Sequence, residues 1–184
     1  MVALKIVGTP QARIESALKT TGTARYAADH VLPRTLWARA LRSPFPHAII
    51  ESIDVSKAQK VPGVHAVLTA KDFNGILVGF SFQDMPILAD GKVRFVGEKV
   101  AAVCAETKEI AEEAVGLIDV RYRELPATFD PIEAMKPGAP IVHENTNSYV
   151  GLAKPVPAHS NIIMSRSLSH GDIAVGFEQS DKIF

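Results

Sequence analysis

The sequence predicts an α+β chain, and three observations carry that prediction. Short runs such as 36–42 and 48–55 place apolar residues at strand-like spacing. One stretch, 107–118, repeats its apolar residues at helical spacing. Proline, glycine and asparagine separate these pieces at short intervals, which suits several small elements better than one long one.

Residues 1–30 show little regular patterning. Arg13 to Leu18 is compatible with a helical turn, which Thr20-Thr21-Gly22-Thr23 ends with β-branched residues and glycine. The expectation is an extended arm with turns over Val7 to Leu32, laid over something else. Leu36 to Arg42 reads as a strand with Trp37, Arg39 and Leu41 on one face, and Ser43-Pro44-Phe45-Pro46 stops it. Ala48 to Val55 follows as a second strand. Ser56 to Lys60 is helix-compatible, with Asp54 or Ser56 as its cap. Pro62-Gly63 marks a turn, and Val64 to Thr69 resumes a strand.

Residues 70–91, dotted with glycine, read as a loop excursion. Lys92 to Val96 alternates like a strand, and Gly97 punctuates it. Lys99 to Ala105 is almost wholly apolar, as expected of a strand covered on both faces. Thr107 then caps a helix whose stripe is Ile110, Ala111, Ala114, Val115 and Ile118, with Glu109, Glu112 and Glu113 towards water. Asp119 to Glu124 is another strand, so 99–124 reads as a β-α-β unit, with a right-handed crossover if its strands pair in parallel. After Asp130-Pro131, Ile132 to Met135 makes a short helical turn. Pro140 onward is extended chain, and a last helical turn spans Ile173 to Phe177. The apolar Ile183-Phe184 reads as an end that has been cut.

Composition sets limits on function. The chain has 184 residues, 47% of them hydrophobic, so a buried core is available. Twenty basic and twenty acidic residues cancel, which gives no cationic surplus for a nucleic-acid backbone. Cys104 stands alone, which excludes an intramolecular disulfide framework and a four-cysteine zinc or iron–sulfur site. No apolar run is long enough for a bilayer span, and Met1 to Lys5 opens no secretory signal, so a soluble, cytoplasmic chain is expected.

The candidate chemistry reads blandly. Histidines 30, 47, 65, 143, 159 and 170 form no i,i+3 or i,i+4 pair, so a metal site would need distant partners; surface or hydrogen-bonded histidines are expected. Ser169-His170-Gly171-Asp172 holds triad letters as sequence neighbours, which cannot adopt triad geometry, and a turn entering a helix is the reading. Cys104 is expected to be a small core residue. Arg34, Arg39 and Arg42 read as a solvated face. No phosphate-cradling glycine motif is present.

An ordered set of short stretches resembles one family. Leu18-Lys19-Thr20-Thr21-Gly22-Thr23-Ala24-Arg25-Tyr26-Ala27-Ala28-Asp29 is similar to the K-x-T-G-x-A-x-Y-x-x-D signature of molybdenum hydroxylase large subunits, the family of xanthine dehydrogenase, aldehyde oxidase and aerobic carbon monoxide dehydrogenase. Leu36 to Pro44 with His47-Ala48 resembles its first strand and R-S-x-x-x-H-A corner. Pro62-Gly63-Val64-His65-Ala66-Val67-Leu68-Thr69 and Val96-Gly97-Glu98-Lys99-Val100-Ala101-Ala102-Val103-Cys104-Ala105-Glu106 are similar to P-G-V-x-A-V-x-T and V-G-E-x-V-A-A-V-x-A-E. The match runs on through Leu125-Pro126-Ala127, Asp130-Pro131, His143-Glu144 and Gly171-Asp172.

The resemblance implies an N-terminal α/β-hammerhead domain, an α+β fold with a mixed sheet and two main helices. It divides the chain into an arm (1–32), a hammerhead core (33–145) and an extended segment (146–184) entering a truncated molybdopterin-binding region. It implies a catalytic subunit of a molybdopterin-dependent oxidoreductase that hydroxylates or oxidises a small carbon substrate with water as the oxygen source. Electrons would leave through [2Fe–2S] clusters towards FAD in an iron–sulfur small subunit and an FAD medium subunit, in a homodimer of heterotrimers. The family's pterin-binding motifs and glutamate base lie C-terminal to the hammerhead. The resemblance therefore assigns no catalytic, cofactor-binding or metal residue to this chain, which is expected to be inactive alone. The arm and loop 70–91 are the expected docking surfaces. The missing iron–sulfur cysteines favour the separate-subunit arrangement. The alternative from a different class is a stand-alone interaction module without redox activity.

Overall fold

A computed structural model describes residues 6–152, 154–157 and 159–183. The readings made on Met1 to Lys5 and on Phe184 lie outside the described residues. The chain divides into two compact units, Met1–Leu36 and Trp37–Phe184.

In the first unit, helix α1 (Ser16–Thr20) lies slightly C-terminal to the expected turn. Threonine hydroxyls end it: Thr20 Oγ1 donates to Ser16 O at 2.9 Å and Thr21 Oγ1 to Ala17 O at 2.7 Å. Gly22 follows at φ +71°, and Leu18 O accepts the N–H groups of Thr23 and Ala24. Asp29 closes a 3₁₀ turn (Ala27–Asp29) by accepting the Tyr26 N–H at 2.8 Å. The Thr-Gly, Tyr and Asp positions of the signature are thus local turn formers. No described residue of this unit is buried.

The second unit holds strands β1 (Trp37–Arg42), β2 (Ala48–Asp54), β3 (Val64–Thr69), β4 (Leu77–Val78), β5 (Met85–Pro86), β6 (Lys92–Val93), β7 (Lys99–Ala105) and β8 (Asp119–Glu124). Its helices are α2 (Lys108–Gly116), α3 (Pro131–Ala134) and α4 (Ile173–Glu178). Two three-stranded sheets, ordered β1-β7-β3 and β6-β2-β8, accompany a small β4-β5 ribbon. Every pairing among the described residues is antiparallel. The α+β class holds, with two antiparallel sheets in place of one mixed sheet. The expected 99–124 unit is divided between them. β7 already has β1 and β3 on its two edges, so β8 pairs with β2 instead.

Helix α2 starts as the sequence predicts, with Thr107 Oγ1 accepting the Ile110 N–H at 3.2 Å. Its stripe packs Ala114 and Ile118 against Ala58, Ala101 and Val103, and Ala111 is buried as well. Alanines on both sides allow the close approach of helix and sheet. A second cluster, Ala48, Ala89, Val93 and Val100, lies under Phe45 and Tyr122, whose rings are 5.1 Å apart.

Several elements differ from expectation for physical reasons. Only Lys92–Val93 of the 92–96 run is strand. Beyond it, the Arg94 N–H turns to the Glu98 carboxylate and the Gly97 N–H to Ser43 O, which removes these donors from a ladder. Ala58–Lys60 is a 3₁₀ turn, and Asp54 Oδ1 accepts the Ser56 N–H at 2.9 Å just before it. β7 is covered fully on one face only: Ala101, Val103 and Ala105 are buried, while Ala102 and Cys104 are partly exposed. Cys104 is therefore not the core residue the sequence predicts. Loop 70–91 carries a 3₁₀ turn (Ala70–Phe73), held by Asp72 and Thr69, as well as the β4-β5 ribbon.

Candidate functional site

Buried polar side chains gather where the β1–β2 corner meets the loop after β6. Ser43, His47, Lys92 and Glu98 are all buried there. Pro44 and Pro46 end β1 and force a turn, which Ser43 Oγ holds by accepting the Phe45 N–H at 3.0 Å. The Ser43 N–H donates to Glu98 O and the Gly97 N–H to Ser43 O, so the corner and the 94–98 loop are laced by backbone bonds. Arg42 Nη1 adds a bond to Gly97 O at 2.8 Å.

His47 sits inside this corner, 7% exposed. Its Nδ1 lies 2.6 Å from Pro126 O. A carbonyl only accepts, so this bond assigns the proton to Nδ1 and leaves a lone pair on Nε2 in the neutral ring. Glu98 accepts the Arg94 N–H, yet burial outweighs that bond and the nearby Arg94 charge, and its pKa is raised.

Strand β6, which leads into that loop, ties down the 142–144 stretch. Lys92 Nζ donates to Val142 O at 2.9 Å and to Glu144 Oε1 at 2.5 Å. His143 Nδ1 pairs with Tyr149 Oη at 2.7 Å, ring edge to ring face. Burial, followed by the Arg94 charge, lowers the His143 pKa against the opposing pull of Asp84. For Glu144 burial acts upwards, but the Lys92 bond, a backbone bond and the Lys92 and Arg94 charges together lower its pKa. A cavity of about 420 Å³ opens beside this segment. Much of its polar lining is already committed: Asn147 bonds both backbone groups of Val156, Ser148 Oγ bonds Asn145 O, and Thr146 Oγ1 bonds His143 O. These groups clasp the chain to itself.

The other sequence-singled residues do not converge. His65 Nε2 pairs with Glu106 at 3.2 Å on the surface, and His30, His159 and His170 are exposed. No group of three His, Cys, Asp or Glu side chains among the described residues is placed to hold a metal. Asp172 caps α4 by accepting the Val175 N–H, so the 169–172 stretch is a turn entering a helix. Arg39 pairs with Glu112 of α2 at 3.0 Å while Arg42 bonds a carbonyl, so they form no shared anion patch. Sequence reasoning missed the burial of Lys92 and Glu98 and the His47–Pro126 bond. The available signal was Lys92 and Arg94 two residues apart, on one face of a run read as a strand.

A family model described as "Aldehyde oxidase and xanthine dehydrogenase, a/b hammerhead domain" matches residues 21–126. The chain belongs to this family. The chain is 40% identical over 167 residues to a probable xanthine dehydrogenase subunit of Bacillus subtilis, covering 90% of this chain and 20% of that protein. It is 34% identical to the nicotinate dehydrogenase large molybdopterin subunit of Eubacterium barkeri, over 96% of this chain and 39% of the relative. The structure of reconstituted CO dehydrogenase from Oligotropha carboxidovorans superposes with a TM-score of 0.64 at 39% identity, over 72% of this chain and 17% of that one. The chain thus spans between 17% and 39% of the length of these relatives.

Two of these relatives are named as subunits, one of them as a molybdopterin subunit. In the buried polar corner His47 Nδ1, Lys92 and Glu98 are committed to backbone groups and an internal ion pair, and no phosphate-cradling glycine loop stands beside them, so this corner does not fit that cofactor. No helix among the described residues is long and apolar enough to cross a membrane.

Proposed function

We propose that this chain is the N-terminal structural domain of the catalytic subunit of a molybdopterin-dependent oxidoreductase. The enzyme is of the xanthine dehydrogenase, aldehyde oxidase and carbon monoxide dehydrogenase type and hydroxylates or oxidises a small carbon substrate. The observation that carries this reading is the hammerhead match over 21–126 within relatives several times longer than the chain. The cofactor, when bound in the rest of the subunit, supplies the redox chemistry. The hammerhead's own residues supply shape: the Ser43–Glu98 lacing and the Lys92 tether fix the loops against two sheets.

In this reading no residue of the chain is catalytic, cofactor-binding or metal-ligating, and the chain alone turns over no substrate. The arm, the core and the extended C-terminal segment are three parts of one scaffold. It works in the cytoplasm, with an iron–sulfur small subunit and an FAD medium subunit, as a homodimer of heterotrimers. The names of relatives as subunits support such an assembly.

Metal analysis and activity assays test this directly. The full-length subunit expressed from the parent reading frame is expected to hold near-stoichiometric molybdenum, and the 184-residue chain none. Molybdenum or substrate oxidation in the chain alone overturns the reading. A reading frame that stops at Phe184 overturns it in favour of the stand-alone interaction module.

A further inference from the structure

Among the described residues of the second unit, two buried side-chain polar atoms have no hydrogen-bond partner: His47 Nε2 and Arg94 Nε. Both residues line one cavity of about 280 Å³, whose wall continues through Phe95, Val96, Phe129 and Val142. The two atoms are chemically complementary. The Nδ1–H bond to Pro126 leaves His47 Nε2 as an acceptor. Arg94 Nη1 already faces Lys92 O at 3.3 Å, and its Nε–H is a donor without an acceptor. Buried unmet donors and acceptors are rare in finished interiors. The rim is as unfinished as the floor, with Phe129 82%, Val96 60% and Phe95 54% exposed.

We propose that this cavity seats an amide-bearing polypeptide segment. Its C=O accepts from Arg94 Nε, its N–H donates to His47 Nε2, and its apolar flanks cover Phe95, Val96 and Phe129. A carboxylate would satisfy Arg94 but bring no donor to a lone pair on His47 Nε2; an amide offers both an acceptor and a donor. Both atoms are closed to solvent in the free chain, so the segment reaches them only as the cavity wall opens. The occupant is the polypeptide that makes up the larger part of the subunit in the relatives, a source that rests on the function proposed above. The surface differs from the arm and from loop 70–91.

The test has two arms. Carbon- and nitrogen-edited NMR of the 184-residue chain follows the His47 ring and Arg94 Nε during titration with N-methylacetamide, N,N-dimethylacetamide or acetate. The expected result is a saturable shift at both sites with N-methylacetamide, and responses several-fold smaller with dimethylacetamide, which lacks the N–H, and with acetate. His47→Asn is designed to keep a donor towards Pro126 O while deleting the Nε2 acceptor, and it should abolish the Arg94 response. Arg94→Lys, which removes Nε–H, should abolish the His47 response. No saturable shift, equal responses to all three probes, or a response surviving both substitutions overturns the amide assignment.

In the full-length subunit, a photo-crosslinking benzoylphenylalanine at position 129 should join to a peptide of the same polypeptide beyond residue 184. Crosslinks only to another subunit or to a second copy, or none at all, overturn the proposed source. Molybdenum content of the same preparation separates the two failures. A loaded subunit without the crosslink sinks the docking alone, whereas an amide response in a protein that never holds molybdenum sinks the function alone.

Discussion

Gly63 shows how one missing carbon permits the turn that leads into β3. Its φ is +86°, a conformation that L side chains rarely adopt, and an added Cβ would lie 2.9 Å from Ile110 Cδ1 of α2. Gly63→Ala is expected to destabilise by more than about 1 kcal/mol, read as a lowered urea midpoint at unchanged slope. His143 makes a second prediction, with a definite sign. Its folded pKa lies below the ordinary value of 6.5, so the unfolded chain takes up the proton first as pH falls. The contribution is fully present above 6.5 and is lost as pH drops from there through the folded pKa. Glu98 acts oppositely: its raised pKa makes it costly at neutral pH, and that cost is relieved on acidification towards its unfolded value of 4.5. His143→Phe removes the histidine part, so its urea midpoint should fall less between about pH 7.5 and about pH 5.5 than that of the parent chain.

Among the elements, α2 is the most legible. Its cap, stripe and solvent face follow from residues within one helical turn of each other, and Thr107→Ala should cost about 1 kcal/mol, measured by denaturant unfolding. The turns after Asp130 and Asp172 were placed from the sequence, and the structure adds that each aspartate accepts backbone N–H groups two or three residues ahead. Strand pairing was not readable. The neighbours of β7 come from residues 37–42 and 64–69, and nothing in its own apolar run says that both edges will be filled. The short β6 also escaped, because the donors that end it go to Glu98 and Ser43 and not to the next strand position. At the polar corner the failure was one of residue type. A lysine reads as solvent-facing, and only the carbonyl of Val142 and the carboxylate of Glu144 explain why Lys92 is buried. The resemblance picked out His47 and Glu98 by position but not by partner.

Across the whole molecule, the absence of burial before Leu36 makes a plain prediction. No described residue of the first unit is buried and both core clusters lie in the second, so the chain 37–184 should still unfold in one cooperative transition, checked by urea denaturation of the shortened chain. The order β1-β7-β3 bears on synthesis. During translation, β1 and β3 leave the ribosome before the strand that zips them together has been made. Until residue 105 emerges, both carry a bare edge open to any passing extended peptide. A nascent chain arrested at Glu98 should therefore recruit chaperones or aggregate, and one extended through α2 should become protease-resistant. The last strand to arrive in this sheet is its keystone.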